Sequence, residues 1–176
     1  MMSRATGSKI LKKLACLATG RALYGAALAV AIAAVPAYAH HSFAIYNAEV
    51  VKVFTGVVTR VNPDANHLQI FFAPMNDERT NVQRDYNGKP IIWAVEMAGS
   101  AESAKEGISV NTFPPGTIFS VALHPLRSGK PAGSRRGTGA LFKCPVRTPP
   151  PPGKHCDSVK GHEQVGEGGP LPEATK

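Results

Sequence analysis

Two hydrophobicity patterns divide the chain. Residues 22–35 are almost wholly apolar and carry no charge. From Val51 onward the apolar positions alternate instead. Val51, Val53, Thr55, Val57, Thr59 and Val61 share one face, with Lys52 and Arg60 on the other. A period of two predicts a half-buried strand over 51–61. Gly56 interrupts it, as glycine does at a bulge or sharp bend. Asn62-Pro63-Asp64-Ala65-Asn66 has the composition of a turn. Leu68, Ile70 and Phe72 then give a second strand that ends at Pro74. Residues 76–90 are polar and predict a long loop or a hairpin closed at Asn87-Gly88.

A third strand is expected over Ile91 to Met97, and a short helix over residues 100–106 with Ser100 placed to cap it. Pro114-Pro115-Gly116 marks a turn. Phe119, Val121 and Leu123 form one face of a fourth strand, Ile118 to Leu123. Residues 128–139 are rich in Gly, Ser and Arg and read as a loop. Ala140 to Cys144 is a short fifth strand. From Pro145 the apolar periodicity is lost, which predicts a largely irregular tail. Five strands with a short helix between the third and fourth give the element order of an OB-fold. The expected class is therefore all-β: a five-stranded, OB-like β-barrel. The alternative is another small barrel or sandwich with a helical plug.

Charge changes the picture at the start of the chain. The whole sequence carries 20 basic and 12 acidic side chains, a net of +8. Taken alone, that balance suggests a polyanionic partner such as nucleic acid. Five of the basic groups, Arg4, Lys9, Lys12, Lys13 and Arg21, precede the apolar run. Ala37-Tyr38-Ala39 follows it. A basic region, an apolar region and an A-x-A site predict a secretory signal peptide over 1–39. The apolar run is shorter than the ~20 residues that span a bilayer, so a retained anchor is not expected. Cys16 lies before that run, where a lipoprotein cysteine would not. The absence of a twin arginine points to general secretion.

The expected organisation is a signal peptide at 1–39, a barrel domain at 40–145 and a Pro/Gly-rich tail at 146–176. Without residues 1–39 the net charge falls to +3. It gathers in residues 127–160, where eight basic groups face one acid. Phe142 is the one aromatic in that stretch. Single-strand nucleic-acid binders need aromatic stacking platforms, so nucleic acid is not the expected partner. Weak contact with an anionic envelope surface is. Cys144 and Cys156 remain after cleavage, and in an oxidising compartment they read as a disulfide closing the tail. Closing a loop of this length stabilises by roughly 3 kcal/mol in the chain-entropy model. The alternative, a metal site of Cys144, His155 and Cys156, lacks the usual C-x₂₋₄-C spacing.

The mature start His40-His41-Ser42-Phe43-Ala44 resembles the HHSFA opening of a bacterial family of exported proteins of unknown function. Gly56-Val57-Val58 is similar to its G-x-V strand, Asn62-Pro63 to its N-P, and Trp93-Ala94-Val95-Glu96 to its W-x-x-E. Phe113-Pro114-Pro115-Gly116-Thr117 keeps a P-G but has Thr117 where the family has Asp. Pro125-Leu126-Arg127-Ser128-Gly129 is similar to P-x-R-x-G. The histidine of the N-P-H motif is displaced to His67, behind Asp64-Ala65-Asn66. The resemblance covers residues 40–145 and implies an exported β-barrel of no established activity.

Candidate chemistry is sparse. Cleavage after Ala39 makes His40 the first residue. Its α-amine and imidazole Nδ1 can chelate one metal in a ring, and a further imidazole gives three nitrogens suited to copper. His41, His67 and His124 are the candidate third ligands. Glu96 beside apolar neighbours is a candidate acid or base, or a partner of Arg60 or Arg127. Trp93, Glu96 and Arg127 are the candidate ligand face, although Trp93 and Glu96 are spaced to point to opposite sides of a strand. No nucleophile elbow, phosphate loop, HExxH or CxxC is present. The expected function is an exported, periplasmic binding or accessory module, non-enzymatic, with copper as the candidate cofactor. Its partner would be a small ligand or an envelope protein. The alternatives are a small copper- or carboxylate-dependent enzyme and a structural envelope protein.

Overall fold

The computed structural model describes residues 44–175. The expected leader and the His40-His41 start lie outside the described residues. Among the described residues, no helix is long and apolar enough to cross a membrane.

Seven strands form one sheet: β1 (Lys52–Asn62), β2 (Gln69–Pro74), β3 (Trp93–Glu96), β4 (Ile118–Pro125), β5 (Ala132–Ser134), β6 (Leu141–Lys143) and β7 (Glu163–Val165). The first five close on themselves. β1 pairs with β2, β2 with β3, β3 with β5, β5 with β4, and β4 back with β1. Only β3 and β5 run parallel. The fold is the expected all-β, five-stranded barrel with one short helix, α1 (Ser100–Lys105), between the third and fourth strands.

The strand that closes the ring is not the one the sequence suggested. Ala132–Ser134 lies inside the Gly/Ser/Arg-rich stretch that read as a loop, and it pairs with both β3 and β4. Three small residues carry no hydrophobic signal. They suit this position because a Cβ on Gly133 would meet Leu123 Cδ1 at 2.4 Å and the His124 carbonyl oxygen at 2.6 Å. The expected fifth strand exists as β6 but lies outside the ring. It pairs along the stretch of the β4 edge that β5 leaves free.

The inward face of β1 also differs from the alternation. Phe54 and Val58 pack into the core, and a Cβ on Gly56 would collide with Phe72 at 2.5 Å. The register shifts between Val58 and Arg60, and this bulge returns Val61 to the inside. The Val51–Val57 face points outward. It still reads as apolar because the tail covers it: Thr55 there is buried.

The core contains Leu68, Ile70 and Phe72 of β2, Val95 of β3 and Phe119, Val121 and Leu123 of β4. Ile108 and Phe113, in the loop after α1, join it fully buried. Phe54, Phe72, Phe119 and Phe113 meet successively edge to face, with centroids 5.3–5.8 Å apart. Such contacts add about 0.5–1.5 kcal/mol each beyond area burial. The cap of α1 is Gly99 rather than Ser100, with no side-chain capping bond. A Cβ on Gly99 would meet the Ala65 carbonyl oxygen at 2.1 Å, so close packing decides that residue.

The tail is ordered against the barrel. Cys144 and Cys156 form a disulfide. A second, smaller core of Ala140, Phe142, Cys144 and Cys156 lies beneath it, with Ile118, Val159 and Leu171 packed alongside. A 3₁₀ turn (Cys156–Ser158) and β7 continue the tail. Apart from these two three-residue elements the tail is irregular, as expected, and the disulfide and β-pairing hold it with few apolar side chains. The polar residues 84–90 do form the expected hairpin, with Gly88 at positive φ and Arg84 paired with Pro90.

Candidate functional site

The sheet register places Gln69, Glu96, Ser134 and His124 in one row across β2, β3, β5 and β4. Residues paired in this way project to one side of a sheet. Their neighbours Ile70, Val95 and Leu123 fill the core, so this row faces outward. Glu96 is its chemical centre.

His67 sits immediately before β2. Its backbone N–H and that of Asn66 donate to Asp64 Oδ1, an Asx turn that fixes the loop. Those two bonds hold the Asp64 carboxyl below its usual range. The turn brings His67 Nδ1 to 3.3 Å from Glu96 Oε1. That nitrogen is buried and has no hydrogen-bond partner. The two groups are thus within ion-pair distance without hydrogen-bond geometry. Tyr46 approaches from the other side. It pairs with Leu126 beyond the end of β4, is 6% exposed, and donates its hydroxyl to the Glu96 carboxylate. Burial first, then the Glu96 charge and hydrogen bond, push its pKa well above the ordinary tyrosine value.

Arg127 ties the N-terminal segment to the same region. Its Nε donates to the Ala44 carbonyl at 3.2 Å and its backbone N–H to the Ile45 carbonyl at 2.9 Å. Glu96 therefore has His67 and Tyr46 as neighbours, in place of the expected Arg60 or Arg127. Arg60 instead stacks on the Phe71 ring, 3.6 Å from its centroid. His124 shares the Glu96 row two strands away, roughly 10 Å at ordinary strand spacing. Its Nδ1 is engaged by the Val50 carbonyl at 2.9 Å.

The expected ligand face does not form one surface. Trp93 packs inward against Phe54, with ring centroids 4.6 Å apart, and Lys52 approaches its ring. Glu96 points outward, and Arg127 lies in the loop beyond β4. Among the described residues, no three His, Cys, Asp or Glu side chains gather as a metal site.

Two features had no sequence signal. One is Tyr46, whose partner lies 50 residues away in sequence and is brought near only by barrel closure. The other is a cleft of about 820 Å³ beside Met97, Ser134, Arg135 and Gly139. An Arg135–Glu106 ion pair lies on its wall. Arg135 and Lys143 are both paired with glutamates, so the basic segment is partly neutralised in the fold.

A small closed β-barrel with a carboxylate, an imidazole and a phenol grouped on its outer face is the class that this fold and site define. The chain belongs to a family of unknown function, DUF6152, which matches residues 27–135. The match ends one residue beyond β5, so it includes the closed ring and excludes β6, the 3₁₀ turn and β7. No curated protein and no solved structure matches the chain.

Proposed function

We propose that this protein is an exported periplasmic binding module, non-enzymatic, that holds copper at its mature amino terminus. Support for export comes from the basic, apolar and A-x-A order of residues 1–39. The observation that carries the binding reading is the anchoring of Ala44, Ile45 and Tyr46. Arg127 binds the first two carbonyls and Glu96 accepts the Tyr46 hydroxyl. The chain before Ala44 therefore starts from the corner that Glu96 occupies. His40 precedes Ala44 by four residues, a reach of up to ~14 Å in extended chain. Among the candidate third ligands, His67 lies beside Glu96 in the corner that Tyr46 reaches, while His124, with Nδ1 engaged by the Val50 carbonyl, would ligate through Nε2. The physiological partner would be a small ligand or another envelope protein, with weak attraction to an anionic surface from the exposed basic groups of the tail.

The test is expression with the native leader, followed by intact mass and metal content of the exported protein. The expected result is a chain beginning at His40 that retains copper, and that loses it in His40→Ala. A chain beginning elsewhere, or one that retains no copper, would overturn the reading. A carboxylate-dependent enzyme at Glu96 is the second reading. Its support is the cleft that opens beside Met97 and Ser134, which adjoin Glu96 in the chain and across the sheet.

A further inference from the structure

We infer that Pro149–Pro152 is a preformed polyproline II ligand that docks into an aromatic-lined, acid-rimmed groove of a partner protein. The inference rests on the envelope-protein partner of the preceding reading, names its kind, and does not involve copper.

Conformation follows from the sequence. Proline fixes φ at about −65°. The residue before a proline is pushed out of the helical region into extended backbone. Pro149, Pro150 and Pro151 meet both conditions, and Thr148 meets the second. Sterics therefore set polyproline II through Pro151. The Lys154 N–H donates to the Pro151 carbonyl at 3.0 Å, and Gly153 has a φ of 69°. Those features fit a type II turn with Pro152 and Gly153 at its centre. The first central residue of that turn has φ about −60° and ψ about +120°, close to polyproline II, so Pro152 continues the run.

Orientation follows from the period. A polyproline II helix repeats every three residues. Pro149 and Pro152 thus share one edge, Pro150 and Gly153 a second, and Thr148 and Pro151 a third. The second edge faces the protein: Pro150 is buried, and the Gly153 N–H donates to the Asp77 carbonyl at 3.0 Å. The other two edges are exposed along their length. A proline-reading groove docks such exposed edges against its aromatic side chains.

The loop is also held rigid. The Cys144–Cys156 disulfide closes it, and Arg79 binds the Lys154 carbonyl. A segment fixed in its bound conformation loses little entropy on docking. Arg147 and Lys154 flank the prolines, both exposed, and no acid occurs between Pro145 and His155. The turn brings Lys154 back beside Pro151. A groove with acids at its rim complements these charges. Val146, 88% exposed, offers an apolar contact at the other end. The family match stops at residue 135, so this surface is separate from the ring that the match covers.

Two measurements test the inference on the exported protein. The first is titration with a purified SH3 domain, a probe with an aromatic, acid-rimmed groove. The second places a photoreactive phenylalanine analogue at Thr148 in expressing cells and maps the cross-linked peptide of any envelope protein captured. Circular dichroism and intact mass verify the fold and the disulfide of each variant. We expect binding of the probe tighter than about 1 mM. It should weaken about tenfold in the double variant Pro149→Ala, Pro152→Ala. Lys154→Ala should weaken it several-fold and reduce its salt dependence. The adduct should map to a groove of aromatic and acidic residues and vanish in the double variant. His40→Ala should bind the probe as the wild type does, so a failure of the copper reading is told apart from a failure of this one. Either signal, lost in the double variant, supports the inference. Absence of both, or persistence of either in the double variant, would overturn it.

Discussion

The Thr55 hydroxyl lies 2.8 Å from His155 Nδ1, joining β1 to the tail across 100 residues of sequence. The same hydroxyl is 2.7 Å from that of Ser120, its cross-strand neighbour on β4, and Ser120 accepts the Cys156 backbone N–H at 2.8 Å. Two strands of the ring thus present hydroxyls outward, and the disulfide-closed loop sits on them. Arg79 adds a second fastening. This residue is buried, and its guanidinium donates to the carbonyls of Lys154 and Asn76.

Thr55→Val removes the shared hydroxyl at nearly constant volume and leaves His155 Nδ1 without its partner. A buried polar group left unsatisfied costs about 1–3 kcal/mol. The expected outcome is a loss of that size in denaturant unfolding, with faster hydrogen exchange at the Cys156 amide. Unchanged stability would show that the hydroxyl network does not fasten the tail.

His155 makes the fastening pH-dependent. Burial, and then the nearby Arg79 charge, hold its pKa below the ordinary 6.5, with Asp157 opposing. The imidazole is therefore neutral in the fold. Below about pH 6.5 the unfolded chain takes up the proton first, so stability falls with falling pH. The contribution is complete above that pH and is lost as pH drops toward the folded value. Unfolding midpoints measured from pH 8 to 5 should decline in the wild type and decline less in His155→Gln.

The disulfide closes the loop that rests on Thr55 and Ser120, so its loss loosens that loop. The chain-entropy model assigns about 3 kcal/mol to a loop of this length. The double variant Cys144→Ala, Cys156→Ala should lose stability of that order. Limited proteolysis should then cut within residues 145–176 while the ring survives. Cuts distributed equally through β1–β5 would mean that ring and tail unfold as one unit.

Gly133→Ala tests closure of the ring. The added methyl would overlap Leu123 and the His124 carbonyl at 2.4 and 2.6 Å, and one of these must move. Overpacking of this kind costs about 1–3 kcal/mol. Denaturant unfolding should show a loss in that range, and no loss would contradict the parallel β3–β5 pairing that closes the barrel.

The two strands whose hydrophobic residues alternate against a buried core, β2 and β4, could be read from sequence. So could the hairpin at Asn87-Gly88, the helix position and the cysteine pair. The alternation in β1 misled because the tail buries its outer face, giving both faces an apolar character. β5 was silent because close approach of the chain at Gly133 demands a small residue. Of the site, Glu96 and His67 were named separately, but their meeting depends on β2–β3 register and on the Asx turn at Asp64. Tyr46 could not be named, since only closure of the barrel brings it to Glu96.

The most direct measurement of the metal-binding claim compares Cu(II) titrations of two forms of the folded protein, one beginning at His40 and one retaining Ala37-Tyr38-Ala39 ahead of it. Retaining these three residues moves the free α-amine off the histidine and removes its chelate ring, places no histidine within the first three positions, and leaves every barrel residue in place. The predicted result is one copper bound tightly by the His40 form and at least tenfold more weakly by the extended form. Equal affinity in the two forms, or no binding tighter than about millimolar in either, would contradict a copper site at the mature amino terminus.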